Sequence, residues 1–520
     1  MRWQLLLCVL LAASSPAWSG RILAVLPNLL RSHFIFSNSV LVALADRGHQ
    51  VTVYSPFSAS EQHRNIVYIQ VNTEFETFVH ENLNFELILE IAKKTTFGVF
   101  LTKGFYARCE HFLKHEKIQE LLHSGEKYDL VLSEATRGEE SILVFGHIFQ
   151  APTVALWSSG QSVILNSLTG NALSIAHVPD YATFAFTNRM SFFERLKNAV
   201  SAVVSLTYYH FHHLPRHEEI VRRHVADFDI PPLEDLARGV SLTLVNTHPT
   251  VGYPQLFTPN MIPVGGVHIE PDKPSLPKTI AAFMDSAAEG VIYVSLGTMI
   301  TMEMMPVEIV EAFTNAFARL PQKVLWKASP EKFPTLSENI LAFDWVPQQS
   351  VLAHPNCRLF ITHGGLFSQL EALDAGVPTV GLPIASDQGY NVRLYQTLGV
   401  GVGLDLETIS EHTVYSAIQT VLGDNSFNEN ARHISEKFRL LPTPLRETAV
   451  HWVEYVMKHD GATHLTPASA SLPLYCRGLL DVAAALAAFT LAVITVIFIT
   501  CRKFWLLLTR RKSMKSKKID

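Results

Sequence analysis

Charge and cysteine are both scarce: 17% of the 520 residues are Asp, Glu, Lys or Arg, and five are cysteine. With a net charge of −5, the chain has no strongly basic balance, and nothing in it asks for nucleic acid as a partner. Cys8, Cys109, Cys357, Cys476 and Cys501 fall at no pairing or metal-ligand spacing, so neither a disulfide framework nor a zinc site follows. No strand signal leads into Gly-x-Gly-x-x-Gly, which leaves nicotinamide and flavin binding without support. The chain also has no Asn-x-Ser/Thr sequon and no repeat at solenoid periods.

Hydrophobic residues, by contrast, make up 48%. That share argues against disorder, and the length implies two or three domains. The ends carry targeting signals. Arg2, the apolar run Leu5 to Ala13 and the closing Ala17-Trp18-Ser19 predict a signal peptide over residues 1–19. Val482 to Cys501 is uncharged and apolar, and about twenty residues at ~1.5 Å each match a bilayer core of roughly 30 Å, so 482–501 is a predicted transmembrane helix. Basic residues crowd after it (Arg502, Lys503, Arg510, Arg511, Lys512, Lys515, Lys517, Lys518), which predicts a cytosolic tail over 502–520 and a lumenal remainder, a single-pass type I arrangement. Residues 451–481 then form a lumenal tail and juxtamembrane segment. The terminal Lys517-Lys518-Ile519-Asp520 resembles the dilysine retrieval signal of endoplasmic reticulum membrane proteins.

Between these ends the pattern is α/β. Ile22 to Leu26 and Val51 to Tyr54 read as strands flanking a helical pattern from Ser37 to Asp46, a βαβ unit and hence a parallel sheet. Tyr128 to Ser133 and Thr153 to Trp157 extend that sheet. From Ser162 to His213 aromatic and aliphatic residues crowd together (Phe184, Phe186, Phe192, Phe193, Tyr208, Tyr209, Phe211), which suits core, an acceptor-site wall or a membrane-facing surface. Gly and Pro from Gly265 to Pro277 mark the crossing to a second half. Its strand signals are Gly290 to Ser295, Lys323 to Lys327, Arg358 to Thr362 and Thr379 to Leu382. The fold class predicted is two Rossmann-like domains facing each other, 20–270 and 285–450, joined by a linker at 271–284.

The densest chemistry lies in Phe343 to Gly389. The strand ending Ile361-Thr362 runs into His363-Gly364-Gly365 and opens a helix, a frame on which backbone N–H groups meet a phosphate closely. Trp345 offers a flat face to a base, and Gln348 both a donor and an acceptor. Ser368 and Glu371 follow at helical spacing, Glu371 where ribose hydroxyls suit it. Asp387 and Gln388 suit sugar hydroxyls. Any of these alone has an ordinary structural reading; together, in this order, they make a nucleotide-sugar site.

This block, with Val294-Ser295-Leu296-Gly297-Thr298, resembles the signature of the UDP-glycosyltransferases, whose fold is the two-domain GT-B. The resemblance spans nearly all of the lumenal chain and also fits the membrane span of the animal branch. It implies that Trp345 stacks on uracil with Val346 beside it and Gln348 bonding the base. Ser295, His363 and Ser368 would hold the phosphates, Glu371 the ribose, and Asp387 and Gln388 the sugar, with Gly297, Thr298 and Gly365 also donor-binding. Phe367 stands where many relatives carry Asn, so a phosphate contact there must come from backbone. In the acceptor half, His33 matches the family's general base. Glu134 occupies the place of the carboxylate that orients it, where many relatives have Asp. The implied reaction is transfer of a hexose, with glucose favoured, from a UDP-sugar to a hydroxyl of a small lipophilic acceptor, with inversion. UDP-sugar is a co-substrate; no cofactor and no metal are expected. UDP-glucuronic acid as donor, or a non-catalytic UDP-sugar-binding partner of other transferases, are the alternatives. A homo-oligomer stays open.

Overall fold

The computed structural model describes residues 19–516 except 60, 72, 75–76, 78–83, 95–102, 135–137 and 334. All but the last residue of the expected signal peptide, and the Lys517–Asp520 tetrapeptide, lie outside the described residues. The chain forms two compact units, one through Pro467 and one from Ala468.

The first unit holds two parallel sheets. Strands β1 (Arg21–Val25), β2 (Gln50–Ser55), β3 (Ile66–Gln70), β4 (Leu130–Ser133), β5 (Thr153–Trp157), β6 (Leu242–Val245) and β7 (Met261–Pro263) assemble in the order β3-β2-β1-β4-β5-β6-β7. Strands β8 (Val291–Ser295), β9 (Lys323–Lys327), β10 (Ile340–Phe343), β11 (Cys357–Thr362), β12 (Thr379–Gly381) and β13 (Gly401–Gly403) assemble in the order β10-β9-β8-β11-β12-β13. Strands β4 and β8 are each buried along their whole length, as parallel strands covered on both faces must be. Each sheet reverses its order beside its first strand, and ligands of such sheets sit outside the strand C-termini there.

Two segments differ from expectation. Within the span set as linker, Lys278–Asp285 is a helix whose Ile280 and Met284 are fully buried against Val291 and Tyr293 of the second half. The boundary at residue 450 falls inside helix Leu445–Lys458, whose Ala449, Val450, Val453 and Val456 pack into the core of the first half with Val40 and Leu44 of helix Arg31–Asp46. Its i, i+1, i+4, i+7 apolar spacing gives one buried stripe, and that stripe finds its partner in the first half. The chain therefore crosses between halves twice, and Phe438 at the end of helix Asn425–Arg439 meets His248 of the first half face to face, rings 3.9 Å apart.

In the second unit, helix Leu480–Ser516 contains a stretch, Leu480–Thr509, long and apolar enough to cross a membrane. It encloses the predicted 482–501 and fits a single-pass anchor.

Candidate active site

In the first half, three side chains converge past the carboxyl ends of neighbouring strands. His33 is the third residue of helix Arg31–Asp46, which follows β1; Glu134 directly follows β4; Ser158 directly follows β5. His33 Nδ1 lies 2.7 Å from Glu134 Oε1 and 2.7 Å from Ser158 Oγ. The Ser158 hydroxyl also reaches Glu134 Oε1 at 3.2 Å. Glu134 and Ser158 are buried, whereas His33 keeps 14% of its side chain exposed. A carboxylate can only accept, so the consistent arrangement has Nδ1–H donating to Glu134 and Ser158 O–H donating to the same carboxylate. The Nε2 lone pair is then left for a substrate proton. Glu134 closes the contact despite its extra methylene. Asn246, following β6, donates to the Ser158 carbonyl at 2.8 Å and steadies that loop.

In the second half, His363 sits between two glycine turns. A Cβ on Gly297 (φ +92°) would lie 2.7 Å from the His363 ring, and one on Gly365 would lie 2.6 Å from its Nε2. Glycine is therefore required at both positions for the imidazole to fit. Burial, and then the neighbouring Lys327 charge, push the His363 pKa down to about 4, so the ring is neutral and acts as a hydrogen-bond donor or acceptor only. Gly365 caps helix Leu366–Ala375 without a side chain, leaving that helix's first N–H groups for an anion. Ser295 is buried at the end of β8, its Oγ 3.4 Å from the Gly297 N–H. Thr298 follows on the same turn.

The nucleotide end is more occupied than the sequence suggests. Trp345 is 59% exposed, with Lys327 Nζ 4.9 Å from its ring centre, while Val346 beneath it is buried. Gln348 is already engaged: its Nε2 donates to Glu371 Oε2 at 2.5 Å and Ser368 Oγ at 3.1 Å, and its Oε1 accepts from Tyr293 at 3.2 Å. Glu371 Oε1 accepts from Gln349 at 3.0 Å, and burial raises the pKa of this carboxyl. Phe367 turns away from this cluster, packs on the core of the first half and meets His268 at 4.9 Å.

Asp387 accepts from Asn391 Nδ2 at 2.8 Å, and burial raises its pKa, offset in part by that hydrogen bond. Gln388 spends its Oε1 on the N–H groups of Ile384 (2.8 Å) and Ala385 (2.9 Å). Ser386, just before, holds a left-handed φ of +58°, the kind of local strain found where a loop must aim side chains. A small cleft is lined by Asp387, Leu366 and Tyr390 from one half and by Gly160, Asn246 and Tyr253 from the other.

Ser158, Lys327, Gln349 and Asn391 escaped the sequence reading. Ser158 and Lys327 stand at the ends of strands that were legible, and the strand-end rule would have found them. Lys327 donates to the Gly297 carbonyl at 2.7 Å, bringing a cation to the turn after β8. The chain's Asp-x-Asp, Asp227-Phe228-Asp229, lies in the first half, where Asp227 meets His123 at 3.2 Å, and takes no part in the donor turns.

Comparison with known proteins shows the family and the fold. The family model described as "UDP-glucoronosyl and UDP-glucosyl transferase" matches residues 20–518. A UDP-glycosyltransferase (UGT5) of Dactylopius coccus is 36% identical, with 93% of this chain and 92% of the relative aligned. UDP-glucosyltransferase 2 of the same insect is 32% identical over 93% of each chain. UDP-glucuronosyltransferase 2B33 of Macaca mulatta is 29% identical over 93% of this chain and 94% of its own. Among solved structures, the calicheamicin glycosyltransferase CalG4 superposes with a TM-score of 0.57 at 20% identity, covering 85% of this chain and 98% of that one, which establishes the GT-B fold. The chain belongs to the UDP-glucuronosyl and UDP-glucosyl transferase family and is a UDP-glycosyltransferase.

Proposed function

We propose that this enzyme transfers glucose from UDP-glucose to a hydroxyl of a small lipophilic acceptor, with inversion at the anomeric carbon. The observation that carries the mechanism is the 2.7 Å contact between His33 Nδ1 and Glu134 Oε1, which leaves Nε2 as the base. In a single in-line displacement, the acceptor oxygen bonds to the anomeric carbon as the bond from that carbon to the β-phosphate oxygen breaks. The acceptor proton passes to His33 Nε2, and Glu134 offsets the imidazolium charge. Charge developing on UDP falls on the first N–H groups of helix Leu366–Ala375, on neutral His363 and on Lys327. Glu371 serves the ribose, Asp387 and Gln388 the sugar. No step calls for a metal or cofactor. Glucose is favoured because one of the insect relatives carries the name UDP-glucosyltransferase. A single-pass arrangement with both sheets lumenal belongs to the same proposal, on the strength of the basic cluster after the span.

The test uses microsomes carrying the full chain, a set of simple phenols, and either UDP-glucose or UDP-glucuronic acid, with conjugates read by mass. A glucoside that falls about 10²- to 10⁴-fold in His33→Ala supports the reading. A glucuronide instead overturns the donor. A conjugate undiminished in His33→Ala overturns the base.

A further inference from the structure

The cysteines fall at no metal-ligand spacing, but the fold brings together a carboxylate and two histidines that lie far apart in the chain. Glu140 opens a short 3₁₀ turn, Glu140–Leu143, in the first half. His213, 73 residues later, ends a widened π-helical turn, Tyr209–His213, of the kind that recurs at functional sites. His217 follows in helix Leu214–His224, and the i, i+4 spacing sets both rings on one face with their centres 4.7 Å apart. Glu140 Oε2 lies 2.8 Å from His213 Nε2 and 3.5 Å from His217 Nε2. One ligand atom from each of the three falls within 4.8 Å of the other two, the only such set among the described residues. All three side chains are buried. A hydrogen bond to Glu140 and a 3.2 Å contact with the Tyr106 hydroxyl account for His213. Nothing of the kind accounts for His217. Its ring is fully buried, yet neither nitrogen has a hydrogen-bond partner. Buried polar groups are nearly always paired, so a ring nitrogen facing a carboxylate oxygen at 3.5 Å asks for something between them. Arg108 beside the cluster is paired with Glu139, so with neutral imidazoles Glu140 keeps a negative charge for a cation to offset.

We propose that Glu140, His213 and His217 bind a zinc ion, each through one atom, with water as the fourth ligand. Two imidazole nitrogens and one carboxylate oxygen suit zinc, whereas magnesium and calcium take oxygen alone. Zinc bonds of about 2.0–2.1 Å at tetrahedral angles hold ligand atoms about 3.3 Å apart. The 2.8 and 3.5 Å separations around Glu140 Oε2 already bracket that value. Zinc replaces the proton between His213 Nε2 and Glu140, which passes to solvent, and fills the gap that His217 faces. His213 Nδ1–H then donates to Tyr106, the orienting partner that a metal-bound imidazole needs. The ion serves as a brace. It ties the Glu140–Leu143 turn, six residues beyond Glu134, to residues 209–224, and it takes no part in sugar transfer.

The full-length chain, carrying no histidine tag, is purified in detergent, stripped with a chelator and titrated with zinc chloride. Calorimetry should show one ion per chain, and the melting temperature should rise with zinc. His217→Phe, which keeps a flat ring in the same space, should lose both the binding and the zinc-dependent rise, while melting like the stripped unaltered chain. No zinc uptake by the unaltered chain overturns the proposal. Equal uptake by His217→Phe also overturns it, and puts the ion on exposed histidines such as His451, His459 or His464. Should His217→Phe fail to fold, His217→Cys keeps a ligand at the position and decides the matter. Its cobalt(II) form should show a thiolate-to-metal charge-transfer band in the near ultraviolet that the cobalt(II) form of the unaltered chain lacks. Absence of that band in a folded His217→Cys chain overturns the assignment of His217.

Discussion

Ser158 is the residue whose role is easiest to isolate. It touches His33 and Glu134 and no other charged group in the described contacts, and it cannot itself be the base. Its hydroxyl donates to Glu134, which keeps the carboxylate turned toward Nδ1 and favours the tautomer with Nε2 free. A hydrogen bond to a charged group is worth about 1.5–3 kcal/mol, so Ser158→Ala should lower kcat by roughly one to two powers of ten. The UDP-glucose KM should stay near its original value, because the donor turns lie in the other half. Ser158→Thr, which keeps the hydroxyl, should restore most of the rate. A rise in KM with kcat intact would show that Ser158 serves binding instead. Glu134→Gln makes the harsher test. An amide can present its N–H to Nδ1 and hold the wrong tautomer, so kcat should fall about 10²- to 10⁴-fold while UDP affinity by calorimetry is unchanged.

Among elements, the turn from β11 into helix Leu366–Ala375 was the most legible, because its chemistry is carried by backbone and by glycine. His363-Gly364-Gly365 after an apolar run has few alternatives in a parallel sheet. Gly365→Ala puts a methyl into the His363 ring, and the helix start or the imidazole must give way. UDP affinity should drop about tenfold or more by calorimetry, while the melting temperature moves little, since Gly365 itself has an ordinary φ of −64°. Gly297→Ala meets the same ring and must also adopt φ +92°, so it should lose both UDP affinity and stability. Unchanged UDP affinity in both variants would detach His363 from the phosphate site. Central strands such as β8 and β11 could be read because they are apolar on both faces. The edge strands could not. β3 leaves Val67 59% exposed, β7 is three residues ending in Pro263, and β13 is Gly401-Val402-Gly403, a strand only because Gly401 lets the backbone press on Thr379. The side-chain contacts of Gln348 were illegible for a different reason. They join residues from β8, from the start of helix Gln348–Ala353 and from helix Leu366–Ala375, and no local pattern encodes that meeting.

At the scale of the whole molecule, four buried histidines set how the fold responds to acid. Burial first of all pushes His217 and His268 down to about 3, and His248 and His363 down to about 4. Unfolded, each titrates near 6.5, so between pH 6.5 and 4 the unfolded chain takes up protons that the folded chain refuses. Their stabilisation is therefore complete above about pH 6.5 and is lost as pH falls toward 4, at about 1.4 kcal/mol per pH unit for each histidine. Glu140 acts in a lower window. Burial would raise it, but the charge and hydrogen bond of His213 at 2.8 Å, with His217, hold it at about 2, so its contribution persists until pH drops below about 4.5. His248 is the informative one to remove, because its ring lies flat on Phe438 where the two halves meet, at 3.9 Å and 12°. His248→Phe keeps a flat ring on Phe438 and deletes one titrating group. Denaturant unfolding of the full chain in detergent, followed from pH 7 to pH 5, should show stability falling steadily with acid. In His248→Phe that slope should shrink by about one proton's worth. A slope identical to that of the unaltered chain would mean that water reaches His248, and that the contact between the halves opens before the fold does.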